Sequence, residues 1–302
     1  MTEICRALSE IGIPFDVEGN RIRCFPHVVN ITVKTGLKDL CELPSYAPDI
    51  VEDNNCNVIP QSLRDNIEYW RALECDPVAE ARALVTACRA SGQRREAFKD
   101  IIKAGNEAGG FGDPAGPLRE VGLLKDVETR WSATFLMIDR LLEQYLAVDQ
   151  FLDDPAQDEI SWHRLSPITL KVLHDIRRLL QIPHIVQEIV SAEKTPTLSS
   201  VLPMYEKLII MLKDLSRELD ELSIGINAII RKLEEYLNLS RRTKAYALAM
   251  GDYVFLFKYH SSSDLVTVLN PTIKLRWLGQ HWEEEDVDNA KSAIRTAVSN
   301  VH

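Results

Sequence analysis

The amino-acid sequence predicts a mainly α-helical protein. Apolar residues recur at helical spacing through most of residues 126–250. Strand chemistry is confined to two short stretches, at residues 21–25 and 253–259. Of the 302 residues, 45% are hydrophobic and 26% are charged, which is typical of a globular protein and excludes wholesale disorder.

The first 60 residues predict a helix, a strand and a second helix. An amphipathic helical pattern covers residues 2–11. Residues 21–25 predict a short strand, and Pro26 suits the first turn of the helix that follows it. Residues 41–60 are polar, have no helical period and predict a loop. We therefore place a first segment at residues 1–60.

The rest of the chain predicts two further segments. Residues 61–125 contain helical patterns and a loop rich in glycine and proline at 105–116. Residues 126–302 predict a bundle of long helices, with Pro183 at a kink or boundary. The helical patterns of this half cover residues 129–152, 168–190, 197–215, 219–239 and 271–282.

The net charge of the chain limits how it can meet nucleic acid. With 35 basic and 45 acidic residues the formal charge is −10, so a chain-wide basic field for DNA is excluded. Any DNA contact must therefore be local. Three basic clusters could form a local strip, although a solvated helix face explains each of them more simply. They are Arg177 with Arg178, Arg231 with Lys232, and Arg241 with Arg242 and Lys244.

Several kinds of site lack their sequence patterns. The six cysteines form no Cys-x-x-Cys pair, which predicts free thiols and no zinc site. The glycine cluster at 105–116 lacks the Lys-Ser/Thr of a phosphate-binding loop, and Gly-x-Ser-x-Gly does not occur. No apolar run approaches ~18 residues, and the first residues do not resemble a signal peptide. We expect an intracellular protein with no membrane span, no bound metal and no cofactor.

Two short motifs in a fixed order are the most specific features. Residues 24–30 read Cys-Phe-Pro-His-Val-Val-Asn, and residues 126–132 read Asp-Val-Glu-Thr-Arg-Trp-Ser. Together they resemble the hAT superfamily of DNA transposases, and the resemblance continues through residues 196–205 to 269–275. In that family the first motif closes a strand of an RNase H-like catalytic core, and the second lies in an all-helical insertion domain. The resemblance implies a remnant of the α/β core, one strand plus a helix, followed by a large helical insertion domain.

The same resemblance implies a catalytically inactive chain. The family's catalysis uses three carboxylates that hold two Mg²⁺ ions. Two of them are Asp residues upstream of the first motif, where this sequence has only Asp16, and the third lies in a Ser-Glu-Arg motif that does not occur here. We therefore expect a truncated fragment without catalytic residues. The alternative is a longer, active gene product that supplies them.

The second motif carries the predicted nucleic-acid contact. In the family its Trp is associated with a flipped base during hairpin formation at the excision site. We predict that Arg130 and Trp131 contact DNA, because arginine binds phosphate and an indole stacks on an unpaired base. The alternative is an ordinary buried tryptophan at the start of a helix.

The first motif is expected to be structural. The family resemblance implies that Cys24, His27 and Asn30 brace the core, with His27 as a hydrogen-bonded core histidine. A half metal site at Cys24 and His27 is the weaker interpretation, because two ligands without a second pair hold a metal poorly.

Residues 251–267 depart from the family pattern. Without them, residue 250 would join residue 268 in a continuous helix-to-helix run. We interpret the segment as translated non-coding sequence, such as a retained intron.

Two functional hypotheses follow from the sequence. The first is a nuclear, transposase-derived protein that contacts transposon-end hairpin DNA, either alone or as a homo-oligomer. The second is a helical protein-interaction module or a decaying relic with no nucleic-acid role.

Overall fold

Helices account for nearly all regular structure in the described part of the chain. The computed structural model describes residues 2–12, 21–41, 67–112, 116–127, 130–192, 198–243, 246, 283–285, 287–288 and 291–292. These residues contain no β-strand, and one isolated bridge joins Val127 to Arg130. The fold is mainly α, as the sequence predicts.

The described residues before position 116 contain five helices. They are α1 (Thr2–Glu10), α2 (Phe25–Cys41), α3 (Ile67–Glu74), α4 (Pro77–Cys88) and α5 (Gly92–Glu107). Helix α4 begins where Asp76 accepts a hydrogen bond from the Ala79 N–H at 3.0 Å, with Pro77 in the first turn. Helix α5 begins in the same way, because Ser91 Oγ accepts from the Arg94 N–H at 3.1 Å.

Five more helices lie in the described residues after position 130. They are α6 (Trp131–Glu143), α7 (Tyr145–Leu152), α8 (Pro167–Ala192), α9 (Leu198–Glu218) and α10 (Ser223–Arg241), with 3₁₀ helices at Pro155–His163 and Asp220–Leu222. The single pattern predicted over 129–152 is two helices, because the backbone leaves helical geometry at Gln144. Pro183 lies inside α8 and is not a helix boundary.

The strand predicted over residues 21–25 is wrong. Residues 21–24 have no regular structure, and Phe25 is already the first residue of α2. Side chains take the place of a neighbouring strand: the Tyr246 hydroxyl donates to the Arg23 carbonyl at 2.8 Å, and Thr243 Oγ1 donates to the Arg21 carbonyl at 3.3 Å. These backbone acceptors are thus satisfied without a sheet.

One compact unit comprises Met1–Thr32, Ile185–Met211 and Ile230–His302. In its described part, the rings of Phe25 and Tyr205 meet edge to face with centroids 4.8 Å apart. Glu206, which follows Tyr205 on α9, forms an ion pair with Arg241 of α10 at 2.9 Å. The apolar core of this unit includes Val28, Val29, Val201, Leu202, Leu208, Leu233 and Leu237.

The second compact unit comprises Val33–His184 and Leu212–Ile229. Helices α5 and α7 pack through Phe98 and Phe151, whose ring centroids are 5.7 Å apart. The core of this unit includes Leu73, Leu84, Ile102, Met137, Ile138, Leu141, Val172, Leu173, Ile176 and Leu179.

Some sequence-based interpretations lie outside the described residues. These include the anomalous segment at 251–267, the polar stretch at 42–60 and the helix predicted over 271–282. The division of the chain after residues 60 and 125 stays a prediction. Among the helices that are described, none has the length and apolar character needed to cross a membrane.

Candidate nucleic-acid interface

The start of α6 is fixed by a buried carboxylate. The side chain of Asp126 is 5% exposed and accepts from Nε and Nη2 of Arg82 at 2.9 and 2.8 Å. Thr134 Oγ1, one turn into α6, donates to the same carboxylate at 3.4 Å. A buried charge needs such partners. The acidic residue of the second motif therefore joins the start of α6 to α4.

Trp131 lies in the core of its unit. As the first residue of α6 it is 2% exposed, and its ring meets the His184 ring edge to face with centroids 6.5 Å apart. Phe135, one turn further along, packs on the same imidazole at 4.5 Å. The structure therefore shows the alternative to base stacking, a buried tryptophan at the start of a helix. In this conformation the indole anchors the helix start.

Arg130 is exposed beside the buried tryptophan. It is the N-cap residue of α6, has extended backbone angles, and makes no side-chain capping bond. Its N–H donates to the Val127 carbonyl at 2.8 Å, and its carbonyl accepts from the Ala133 N–H at 3.0 Å. The backbone is therefore held on both sides of the exposed guanidinium. A guanidinium and a helix N-terminus both favour an anion at this position.

The first motif is divided between surface and interior. Cys24 and His27 are exposed and Asn30 is half-buried, so the expectation of a core histidine is wrong. The buried residues of the motif are Phe25, Val28 and Val29. Because α2 begins at Phe25, its buried face holds these apolar side chains and His27 lies on the other face. The bracing role predicted for the motif stays a prediction.

The predicted basic clusters are largely neutralised by acids. Arg177 pairs with Asp139 at 2.6 Å and Arg178 pairs with Glu218 at 2.5 Å. Each pair joins α8 to another helix of the same unit. Lys232 pairs with Glu235 at 2.7 Å, and Arg241 is paired as described above. These cations serve helix packing or local solvation more than an open basic strip.

Sequence reasoning missed one exposed aromatic residue. Trp162 is 74% exposed, and its ring stacks on His163 with centroids 3.6 Å apart. The indole N–H donates to the Glu159 carbonyl at 3.0 Å, which orients the ring. Burial lowers the pKa of His163, so the imidazole beneath the indole is neutral at physiological pH. The 3₁₀ helix around it has no apolar period that would have shown this exposure.

The Mg²⁺ pair of the intact hAT family does not fit the described side chains. Within the described ranges, no three His, Cys, Asp or Glu residues are grouped as ligands for a metal ion. The carboxylate of Asp126, which is in the second motif, is bound by Arg82. We assign no metal-dependent step to these residues.

The helical architecture and the two motifs define a class of hAT-like helical domains. The family model of the ZBED1 RNase-like helical domain matches residues 22–179, just over half of the chain. The protein belongs to this family, and the match includes both motifs. No curated protein and no solved structure matches the chain.

Proposed function

We propose that this protein is a transposase-derived, hAT-like protein that has lost phosphodiester chemistry and contacts hairpin DNA through the surface around Arg130. The family match over residues 22–179 supports the hAT-like relationship. The observation that carries the DNA contact is the exposed Arg130 at the N-terminus of α6, beside a buried and therefore fixed Trp131. A nuclear location accompanies this proposal.

The electrostatics of this surface favour one phosphate group. The first backbone N–H groups of α6 and the guanidinium of its N-cap residue Arg130 both carry positive charge at the helix start. The nearby carboxylate of Asp126 is neutralised by Arg82 and buried, so it does not oppose an incoming phosphate. The acidic chain as a whole limits such binding to low or moderate salt.

The test is a titration of hairpin DNA at several salt concentrations. We expect Arg130→Ala to weaken binding about threefold to tenfold and to lower the salt slope by about one phosphate contact. Arg217→Ala is the matched control, because that arginine is exposed and its ion-pair partner among the described residues is Asp214 on its own helix. If the two variants bind the hairpin equally well, Arg130 is not the contact.

Loss of catalysis has a separate test. Incubation of the hairpin with wild-type protein and Mg²⁺ is expected to leave the DNA uncut, because no Ser-Glu-Arg motif occurs in these 302 residues. Cleavage that EDTA abolishes would overturn this part of the proposal and leave the DNA contact standing.

A protein-interaction role is the second candidate, and the exposed Trp162 favours it. Tryptophan is enriched at the energetic centres of protein interfaces. The partner that we would test first is a second copy of this chain. Sedimentation velocity of wild type and Trp162→Ala should then show self-association that the variant loses. Monomeric wild-type protein that binds hairpin DNA would favour the first candidate.

A further inference from the structure

The floor of a cleft in the second unit has no helix or strand, but several hydrogen bonds hold its backbone in place. The floor consists of residues 121–124, which continue the irregular segment that begins at residue 118 after α5. The Asn106 side chain exchanges two hydrogen bonds with the backbone of Leu118, each 2.8 Å long. Buried Gln144 donates to the carbonyls of residues 119 and 121 at 3.0 and 2.7 Å. These bonds fix the floor before any ligand arrives, which lowers the entropic cost of binding.

Two arginines complete the floor and line the cleft. Arg140 Nη1 donates to the Gly122 carbonyl at 3.2 Å, and its Nε bonds Glu143 at the same distance. Arg89 Nη1 donates to the Leu123 carbonyl. The Nε of Arg89 is buried and, in the structure as described, has no hydrogen-bond partner. A buried donor without an acceptor is costly, and an anionic ligand is one way to satisfy it.

The cleft is positively charged although the chain is acidic. Four cations line it, Arg89, Arg95, Lys99 and Arg140, and the carboxylate among its lining residues is Glu96. Lys99 pairs with this Glu96 at 2.9 Å, whereas Arg95 makes no ion pair with any described residue. Arg140 is bound to Glu143, so Arg89 and Arg95 supply the positive charge that no described carboxylate balances. The cleft therefore favours an anion.

The remaining walls are apolar. Buried Phe98 and Leu123 lie beside Val121 and Leu124 in the lining, and the cavity volume is about 420 Å³. That volume lies within the range of small-molecule sites, about 300–1,000 Å³. A suitable ligand has a phosphate for the arginines and a flat apolar group for the walls.

We propose that this cleft binds the phosphate group and adjoining base of a nucleotide. The same chemistry comes from a free nucleotide or from the terminal nucleotide of a DNA strand, and the second source rests on the DNA-binding function proposed above. Arg95 is the exposed phosphate ligand, and Arg89, which is bonded to the Leu123 carbonyl, supplies a second positive charge in the lining.

Charge reversals on α5 test the proposal without disturbing the core. Arg95→Glu and Lys99→Glu change exposed side chains that line the cleft. Lys103→Glu is the matched control, because Lys103 is exposed one turn further along α5 and does not line the cleft. The probes are a nucleoside monophosphate, measured by calorimetry, and a short 5′-phosphorylated oligonucleotide, measured by fluorescence anisotropy.

We expect Arg95→Glu and Lys99→Glu each to weaken binding of at least one probe about tenfold, with Lys103→Glu within about twofold of wild type. Binding of the mononucleotide identifies the free source, and binding of the oligonucleotide alone identifies the strand end. Equal affinities for all three variants, or no binding of either probe by wild type, would overturn the proposal.

The outcomes separate this site from the function proposed above. Hairpin binding that falls with Arg130→Ala, together with equal affinities of wild type and Arg95→Glu for both probes, overturns the cleft and leaves the DNA contact at Arg130. Mononucleotide binding that depends on Arg95, in a protein that binds no hairpin, supports the cleft and overturns the DNA-binding function.

Discussion

Two neighbouring residues, Arg130 and Trp131, meet opposite environments at the start of α6. The arginine is exposed, whereas the tryptophan is buried on His184. A sequence motif cannot separate these roles, because consecutive residues at a helix start point to different faces. The structure therefore makes Arg130 the residue for binding experiments and Trp131 the residue for stability experiments.

Trp131→Ala is predicted to destabilise the protein by about 3 to 5 kcal/mol, because it removes a large buried side chain and leaves a cavity. Trp162→Ala is the matched control: that indole is 74% exposed, and its loss should change stability by less than about 0.5 kcal/mol. Urea unfolding followed by circular dichroism measures both. Similar unfolding midpoints for the two variants would show that Trp131 is not a core residue in solution.

At the scale of elements, the close packing of α2 against α10 is a feature that hydrophobic periodicity cannot predict. A Cβ on Gly36 would lie 2.7 Å from the Gly225 carbonyl oxygen and 2.3 Å from Ile229 Cγ1. A Cβ on Gly225 would lie 2.7 Å from the Gly36 carbonyl oxygen. The two helix backbones thus approach each other where both lack side chains, and the glycines are required by packing and not by a turn.

Gly36→Ala is predicted to lower the free energy of unfolding by about 1 to 3 kcal/mol, because a backbone carbonyl cannot move aside as a side chain can. The gain of about 1 kcal/mol in helix propensity offsets only part of this cost. Gly92→Ala, at the start of α5, meets nothing closer than Arg95 Nη2 at 3.8 Å and should not destabilise the protein. A higher melting temperature for Gly36→Ala than for wild type would contradict the close approach.

Sequence patterns predicted the long apolar helices and failed where side chains replaced regular structure. Helices α8, α9 and α10 follow their predicted ranges because each has a sustained apolar face. The strand at 21–25 failed because side-chain hydroxyls from residues far along the chain satisfy its carbonyls. Helix α5 was not predicted, since Phe98 and Ile102 are its only fully buried side chains.

At the scale of the whole molecule, the two candidate sites differ in how far apart their residues lie in the sequence. The second motif is contiguous, so the sequence alone could name Arg130 and Trp131. The basic cleft brings together α4, α5, residues 121–124 and Arg140 of α6, which are up to about fifty positions apart. Only the folded chain places these cations around one cavity.

Buried acidic hydroxyl and thiol groups make the stability of the whole molecule sensitive to alkaline pH. Burial raises the pKa of Cys88 from 9.0 to about 12 and raises the pKa values of Tyr69 and Tyr205. For Tyr69 the nearby Asp175 carboxylate, which accepts its hydroxyl at 3.0 Å, raises the pKa further. Each of these groups stays protonated in the folded chain at a pH where the unfolded chain releases its proton.

These groups have a higher pKa in the folded chain than in the unfolded chain. Their contribution to stability is therefore complete below the unfolded pKa and is lost as the pH rises from the unfolded pKa towards the folded pKa. The window opens near pH 9.0 for Cys88 and near 10.0 for the tyrosines. We predict that the free energy of unfolding, measured with urea, is nearly constant up to about pH 8.5 and falls between about pH 9 and about pH 11, by roughly 1 kcal/mol per pH unit for each titrating group. Cys88→Ala should fall less steeply over the first part of that range, since it removes the group that titrates first. Identical slopes for wild type and variant would show that the Cys88 thiol ionises equally easily in the folded and unfolded chains.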